Sequence, residues 1–225
     1  KPNETVGAPT GLLLSELSVP YFEFKDANID VTIASINGGL IPVEPTPWFI
    51  ETKEDKMFNE SAELTSLLTN SLSIEDVDFT EFDIVFLSGG WGAAYDLGFS
   101  EPLADKMFTA YESGSLIGAI CHGVLGLINI KNKDGELLIK NRKMTGVTNK
   151  QLQELGIFFT PMHPEDELKK AGVLFESKSK RIEFFANHVV VDDEKRFITG
   201  QNQNAGHEIS QQIMELLDKW MIKKI

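Results

Sequence analysis

Apolar positions along the chain fall into two rhythms. Short unbroken apolar runs predict strands at 30–36, 83–88 and 116–120, with shorter ones at 143–147, 173–177, 181–185, 189–191 and 196–200. The run Ile84-Val85-Phe86-Leu87 is the kind that a parallel sheet buries on both faces. Helical spacing predicts helices over 11–28, 60–72, 102–113, 121–130, 149–155, 164–171 and 205–223. Thr10 is placed to cap the first helix, and Pro20 is expected to kink or split it. Residues 1–10 and the Pro-rich stretch 42–47 read as loop, and 133–136 as a turn. Strands alternating with helices predict an α/β fold, with a mostly parallel central sheet and helices on both faces. No repeat or linker divides the sequence, so 1–225 reads as a single domain.

Composition narrows the function. Of 225 residues, 42% are hydrophobic and 24% charged, ordinary for a soluble globular chain. A formal net charge of −13 argues against nucleic acid, whose phosphates need a basic surface. No apolar run has the length of a membrane span, and the polar N-terminus does not read as a signal peptide. With a single cysteine no internal disulfide can form, so the expected setting is reducing and cytoplasmic.

That cysteine sits where the chemistry converges. In Ala119-Ile120-Cys121-His122-Gly123 a buried strand runs straight into a helix, with small residues on either side of the bend. A thiol at a helix start meets unpaired backbone N–H groups and a dipole that favour the thiolate. The alternative is a buried structural cysteine; the small-X-Cys-X-small spacing favours the nucleophile. Gly89-Gly90 after a predicted strand offers N–H groups to a phosphate or an oxyanion, but GxGxxG and a Lys-Ser/Thr pair are both missing. Glu16, amid apolar residues, reads by spacing alone as solvated more readily than buried. His163, His188 and His207 are dispersed and lack metal-ligand spacing, so they read as structural or exposed and no metal is expected.

Four blocks together resemble the ThiJ/PfpI superfamily, which shares its fold with class I glutamine amidotransferases. They are Pro9-Thr10-Gly11 with Leu14-Ser15-Glu16-Leu17, Ala34-Ser35 with Gly38-Gly39, Leu87-Ser88-Gly89-Gly90-Trp91-Gly92, and Ala119-Ile120-Cys121-His122-Gly123. Thr145-Gly146-Val147-Thr148-Asn149 and Thr199-Gly200-Gln201-Asn202 support them, and the chain is most similar to the heat-shock chaperone and glyoxalase III branch. The resemblance implies a flavodoxin-like three-layer sandwich with a nucleophile elbow. It also implies a cofactor-independent cysteine enzyme that converts 2-oxoaldehydes such as methylglyoxal to 2-hydroxy acids such as lactate. Cys121 is then the nucleophile, His122 its base, Glu16 an acid beside the thiol, and the N–H groups of Gly90 and His122 the oxyanion donors. A homodimer is expected. Two alternatives stay open on the same elbow: a stress chaperone or redox sensor holding an oxidised Cys121, and a small-amide hydrolase.

The chain departs from the superfamily pattern in three places. Many relatives begin with a central strand ahead of the Pro-Thr-Gly block, which 1–10 cannot supply, so a missing or swapped element is expected there. Trp91 stands where many relatives have histidine and is expected to narrow the pocket mouth. Leu152 aligns with the acid that orients the histidine, leaving Glu154 as a candidate substitute.

Overall fold

A computed structural model describes residues 10–45 and 51–223, with side chains to Trp220. In chain order its elements are α1 (Ser15–Asp26), β1 (Ala34–Ser35), α2 (Lys53–Glu60), α3 (Ala62–Thr69), β2 (Leu72–Ser73), β3 (Ile84–Leu87), α4 (Glu101–Ser113), β4 (Leu116–Ile120), β5 (Lys143–Met144), α5 (Asn149–Glu154), α6 (Pro164–Lys170), β6 (Leu174–Phe175), β7 (Val189–Val191), β8 (Phe197–Gly200) and α7 (Gly206–Lys223). The central sheet has the order β3-β4-β8-β7, parallel except for β7, and β1-β2 and β5-β6 are short parallel pairs.

Every residue of β4 is buried, because the strand has neighbours on both edges and helices on both faces. Its side chains alternate as pleating requires. Ile117 and Ala119 join Leu103 and Met107 of α4 in one core, while Leu116 and Ile120 join Ile209 and Ile213 of α7 in the other. The register pairs Leu87 with Ala119 and Ile120 with Gly200. The loops that follow β3, β4 and β8 therefore leave the same end of the sheet, the carboxyl end where open α/β folds build their sites.

The first helix differs from expectation at both of its unusual residues. It begins at Ser15, because the N–H groups just before it bond elsewhere: Leu12 N–H donates to Pro42 O at 2.8 Å and Leu13 N–H to Gly89 O at 3.3 Å. Thr10 does not cap it; the cap position falls on Leu14, and the Thr10 hydroxyl donates to Glu44. Pro20 does not split it either. A proline lacks the N–H that would serve the carbonyl four residues back, here that of Glu16. The Ser88 hydroxyl donates to that carbonyl at 3.0 Å instead, tying α1 to the loop after β3. A second tie, from Ser18 Oγ to Asp55 Oδ1 at 2.6 Å, holds α1 to α2.

Other differences lie at sheet margins. Of 30–36 only Ala34–Ser35 pairs as a strand, and 181–185 contains a 3₁₀ turn over Glu183–Phe185 rather than a strand. Glu183 anchors that turn by accepting from Thr148 and, through its carbonyl, from Asn202 at 3.3 Å. The predicted helix 121–130 is a 3₁₀ helix over Cys121–Leu127, and α2 was not apparent from the apolar spacing. Ile84, Val85 and Phe86 are half-buried rather than buried on both faces. The outer edge of β3 has no strand beside it among the described residues; it faces the segment 29–36 across a cleft of about 990 Å³. The expectations for residues 1–9 and for Thr46-Pro47 of the Pro-rich loop concern positions outside the described residues.

Candidate active site

The elbow at Cys121 is strained in the way its sequence suggests. Cys121 has φ 57°, in the left-handed region that costs a side-chain-bearing residue of order 1–3 kcal/mol. Gly123 is required two residues on, since a Cβ there would stand 2.2 Å from Leu87 O. Gly90 is required across the site: its φ is 101°, and a Cβ would stand 2.2 Å from Leu13 N. The Thr10-Gly11 and Gly89-Gly90-Trp91-Gly92 motifs thus pack backbone against backbone, with Gly92 N–H donating to Gly11 O at 3.0 Å. That contact delivers the start of α1, and Glu16 with it, to the carboxyl end of β3.

Three predicted residues come together there. Cys121, Glu16 and His122 are all buried, Glu16 completely. His122 Nδ1 lies 3.5 Å from Cys121 Sγ. Glu16 Oε2 lies against Gly89, 2.5 Å from where a Cβ on that residue would stand. The Glu16 carboxyl faces the thiol and the N–H groups of Gly89 and Gly90. Its oxygens meet none of them in full hydrogen-bond geometry, so the contact is electrostatic closeness rather than a formed bond. The N–H groups of His122 and Gly90 both face the sulfur.

Burial governs the charges. Desolvation pushes the Glu16 carboxyl up to about 8, against the smaller opposing pull of the thiol and the Gly89 and Gly90 N–H groups. At neutral pH Glu16 is therefore protonated and can donate to sulfur. Desolvation, and then the proximity of Glu16, also push the Cys121 thiol well above its ordinary value, and the His122 and Gly90 N–H groups only partly offset this. This reverses the expectation of a resting thiolate: the short 3₁₀ helix gives too little field to outweigh full burial. Desolvation, and then nearby His163, bring His122 down to about 3, so its imidazole is neutral and able to accept a proton.

The remaining predicted residues are placed as follows. Trp91 donates its backbone N–H to Glu44 Oε1 at 3.1 Å, and its ring lies 6.2 Å from that of Tyr95. Glu154 does not serve His122: its carboxylate accepts from the N–H groups of Glu183 at 2.8 Å and Phe184 at 3.3 Å. Leu152 is fully buried in the same core cluster as Cys121. His207 lies 2.7 Å from Glu23. Spacing alone missed two participants, Ser88 and His163. Ser88 belongs to the Gly89-Gly90 block but serves a carbonyl 72 residues away, and His163, which spacing leaves structural or exposed, is far in sequence from His122. Among the described residues no group of three or more His, Cys, Asp or Glu is arranged to hold a metal, and no helix is long and apolar enough to cross a membrane.

Known proteins resemble this chain in sequence and in fold. Glyoxalase 3 of Candida albicans is 30% identical over 179 residues, covering 76% of this chain and 73% of its own. The structure of the Rapid Encystment Protein 24 kDa of Francisella tularensis superposes with a TM-score of 0.86 at 33% identity, covering 92% of this chain and 90% of that one. The structure of glyoxalase III from Candida albicans gives a TM-score of 0.82 at 24% identity, over 95% and 91% of the two chains, a likeness of fold. The sequence profile of the DJ-1/PfpI family matches residues 8–216, and the chain belongs to the DJ-1/PfpI family.

Proposed function

We propose that the protein is a glyoxalase III-type enzyme that converts small 2-oxoaldehydes to 2-hydroxy acids without glutathione, with Cys121 as nucleophile. The observation that carries the reading is the burial of a neutral base, His122, 3.5 Å from the thiol of a strained elbow, beside a protonated Glu16. Relatives named as glutathione-independent glyoxalases, at 28% identity for one from Schizosaccharomyces pombe, support it.

The chemistry runs as follows. As Sγ adds to the aldehyde carbon of methylglyoxal, the thiol proton passes to His122, and the new oxyanion is held by the N–H groups of Gly90 and His122. Returning that proton to oxygen gives a hemithioacetal and restores the neutral imidazole. His122 then takes the proton from the former aldehyde carbon, and C2 is protonated on the resulting enediol, giving a lactoyl thioester. Glu16, holding its proton, is the acid nearest to this exchange. Water releases lactate and regenerates the thiol. Water is the one reactant added, C1 is oxidised as C2 is reduced, and this internal redox exchange needs no external oxidant or reductant.

Trp91 is proposed to narrow the pocket mouth, so that short aldehydes enter more readily than branched ones. A small aldehyde as substrate, no nucleic-acid partner, a cytoplasmic setting and a homodimer complete the proposal. The net charge of −13 supports the second of these, and the family resemblance supports the last. Light scattering decides between one chain and two. The direct test of function is lactate formation from methylglyoxal by the purified protein in glutathione-free buffer. Lactate at a rate proportional to enzyme supports the reading, and its absence, with the protein folded and Cys121 reduced, removes it.

A further inference from the structure

At neutral pH the proposed reaction joins one 2-oxoaldehyde to one water and yields a 2-hydroxy carboxylate and one proton. That proton must leave a site in which Glu16, Cys121 and His122 are all buried. Leu152, buried in the same core cluster as Cys121, has no proton to exchange, and Glu154 is engaged with the 183–184 backbone.

A second histidine lies near the base. His122 turns Nδ1 toward sulfur, so Nε2 lies on the far edge of the ring, where it is buried and pairs with no described protein atom. His163, at the N-cap of α6, has a buried Nδ1 in the same condition. His163 is close enough to His122 to disfavour protonation of its ring. Leu168 of α6 and Val124 of the 3₁₀ helix share one core cluster, which fixes the two elements against each other. Beside His163 lies a cavity of about 230 Å³, lined also by Asn149, Leu152 and Asp166. That is room for several waters, at roughly 30 Å³ each. Its wall is part apolar, from Leu152, Ile157 and Phe158, and part polar: Asn149 donates to Asp166 Oδ1 at 2.7 Å, while Asn149 Oδ1 is buried and unpartnered. Buried polar atoms left unpaired by protein call for water.

We propose that His163 is the partner of the outer nitrogen of His122 and relays the reaction's proton from it, through water, into this cavity and out to solvent. The step is a proton transfer alone. One proton enters the His122 ring at Nδ1, one leaves at Nε2, and His163 takes up one and gives one to water, with no change in heavy-atom bonds or oxidation state. His163 thereby acts through His122 as a positioning and relay residue. The nearest carboxylates on α6 are Asp166, bonded to Asn149, and Glu165, which accepts from Asn149 N–H at 2.8 Å and pairs with Lys169.

The inference rests on the glyoxalase reading, and its test separates the two. His163→Gln keeps hydrogen bonding but cannot carry a proton. Steady-state lactate formation is measured in weak buffer, with and without added imidazole, alongside NMR titration of the His122 ring in wild type and variant. The expected result is a kcat lowered about tenfold or more with KM little changed, and recovery as imidazole is added. The His122 ring resonances also shift between wild type and variant. A variant with wild-type kcat in weak buffer overturns the proposal, as does a loss that imidazole fails to restore. Wild type that makes no lactate sinks the glyoxalase reading instead. The NMR comparison then still decides the contact, and unchanged His122 resonances in His163→Gln overturn it.

Discussion

A carboxylic acid that stays protonated at neutral pH has a stability signature of its own. Glu16 titrates at about 8 in the folded protein against an ordinary 4.5. Between those values the folded state holds a proton that the unfolded chain has lost. Stability attributable to Glu16 is thus complete below about pH 4.5 and declines as pH rises toward 8, by ~1.4 kcal/mol per pH unit. His122 has the opposite sign. Its folded value of about 3 lies below the ordinary 6.5, so its share of stability is complete above 6.5 and is lost as pH falls toward 3. The two slopes cancel between about 4.5 and 6.5. In Glu16→Gln, chemical denaturation at a series of pH values is expected to show the alkaline decline flattened, with the variant a few kcal/mol more stable than wild type at pH 8.5. An unchanged alkaline limb would mean that Glu16 is ionised in the fold. Neither sign was legible from sequence: spacing alone favoured a solvated Glu16 carboxylate, and only the resemblance moved it to the site. The strain at Cys121 was more legible, because small residues on both sides of a strand end leave few other conformations.

The element that sets the geometry is α1. Its proline leaves the Glu16 carbonyl without a helical donor, and Ser88 supplies one from the loop after β3. Removing that hydroxyl leaves a buried carbonyl unpaired and is expected to cost about 1–3 kcal/mol. In a Pro20→Ala background the new Ala N–H can reach the same carbonyl, so Ser88→Ala should cost under about 1 kcal/mol there. A double-mutant cycle by urea denaturation measures the coupling. Equal costs in the two backgrounds contradict the account of how α1 is held. The sequence made the proline and the helix plain, yet the compensation spans 72 residues, and no local pattern encodes it. The same holds for the short strands. Fully apolar β4 announced itself, whereas segments such as 181–185 have strand-like composition but are drawn into a 3₁₀ turn by the buried Glu183 and its bonds to Thr148 and Asn202.

Across the whole molecule, parallel strands β3, β4 and β8 bring three loops to one end of the sheet, and the functional motifs lie in or beside those loops. The alternation of strands and helices made the α/β class legible, and the motif order made the family legible. Less legible was the state of the site: burial, not the local helix field, decides the protonation of Cys121, Glu16 and His122. A resting thiol beside a neutral imidazole suits a reaction in which the proton moves as sulfur attacks. It suits a peroxide sensor less well, since sensing favours an accessible, low-pKa thiolate. The central claim is that Cys121 forms the covalent bond to substrate. The measurement that tests it most directly is the rate of lactate formation from methylglyoxal by Cys121→Ser against wild type, both shown folded by circular dichroism. The account predicts a loss of about a thousandfold or more, and a variant that retains lactate formation within about threefold of wild type would contradict it.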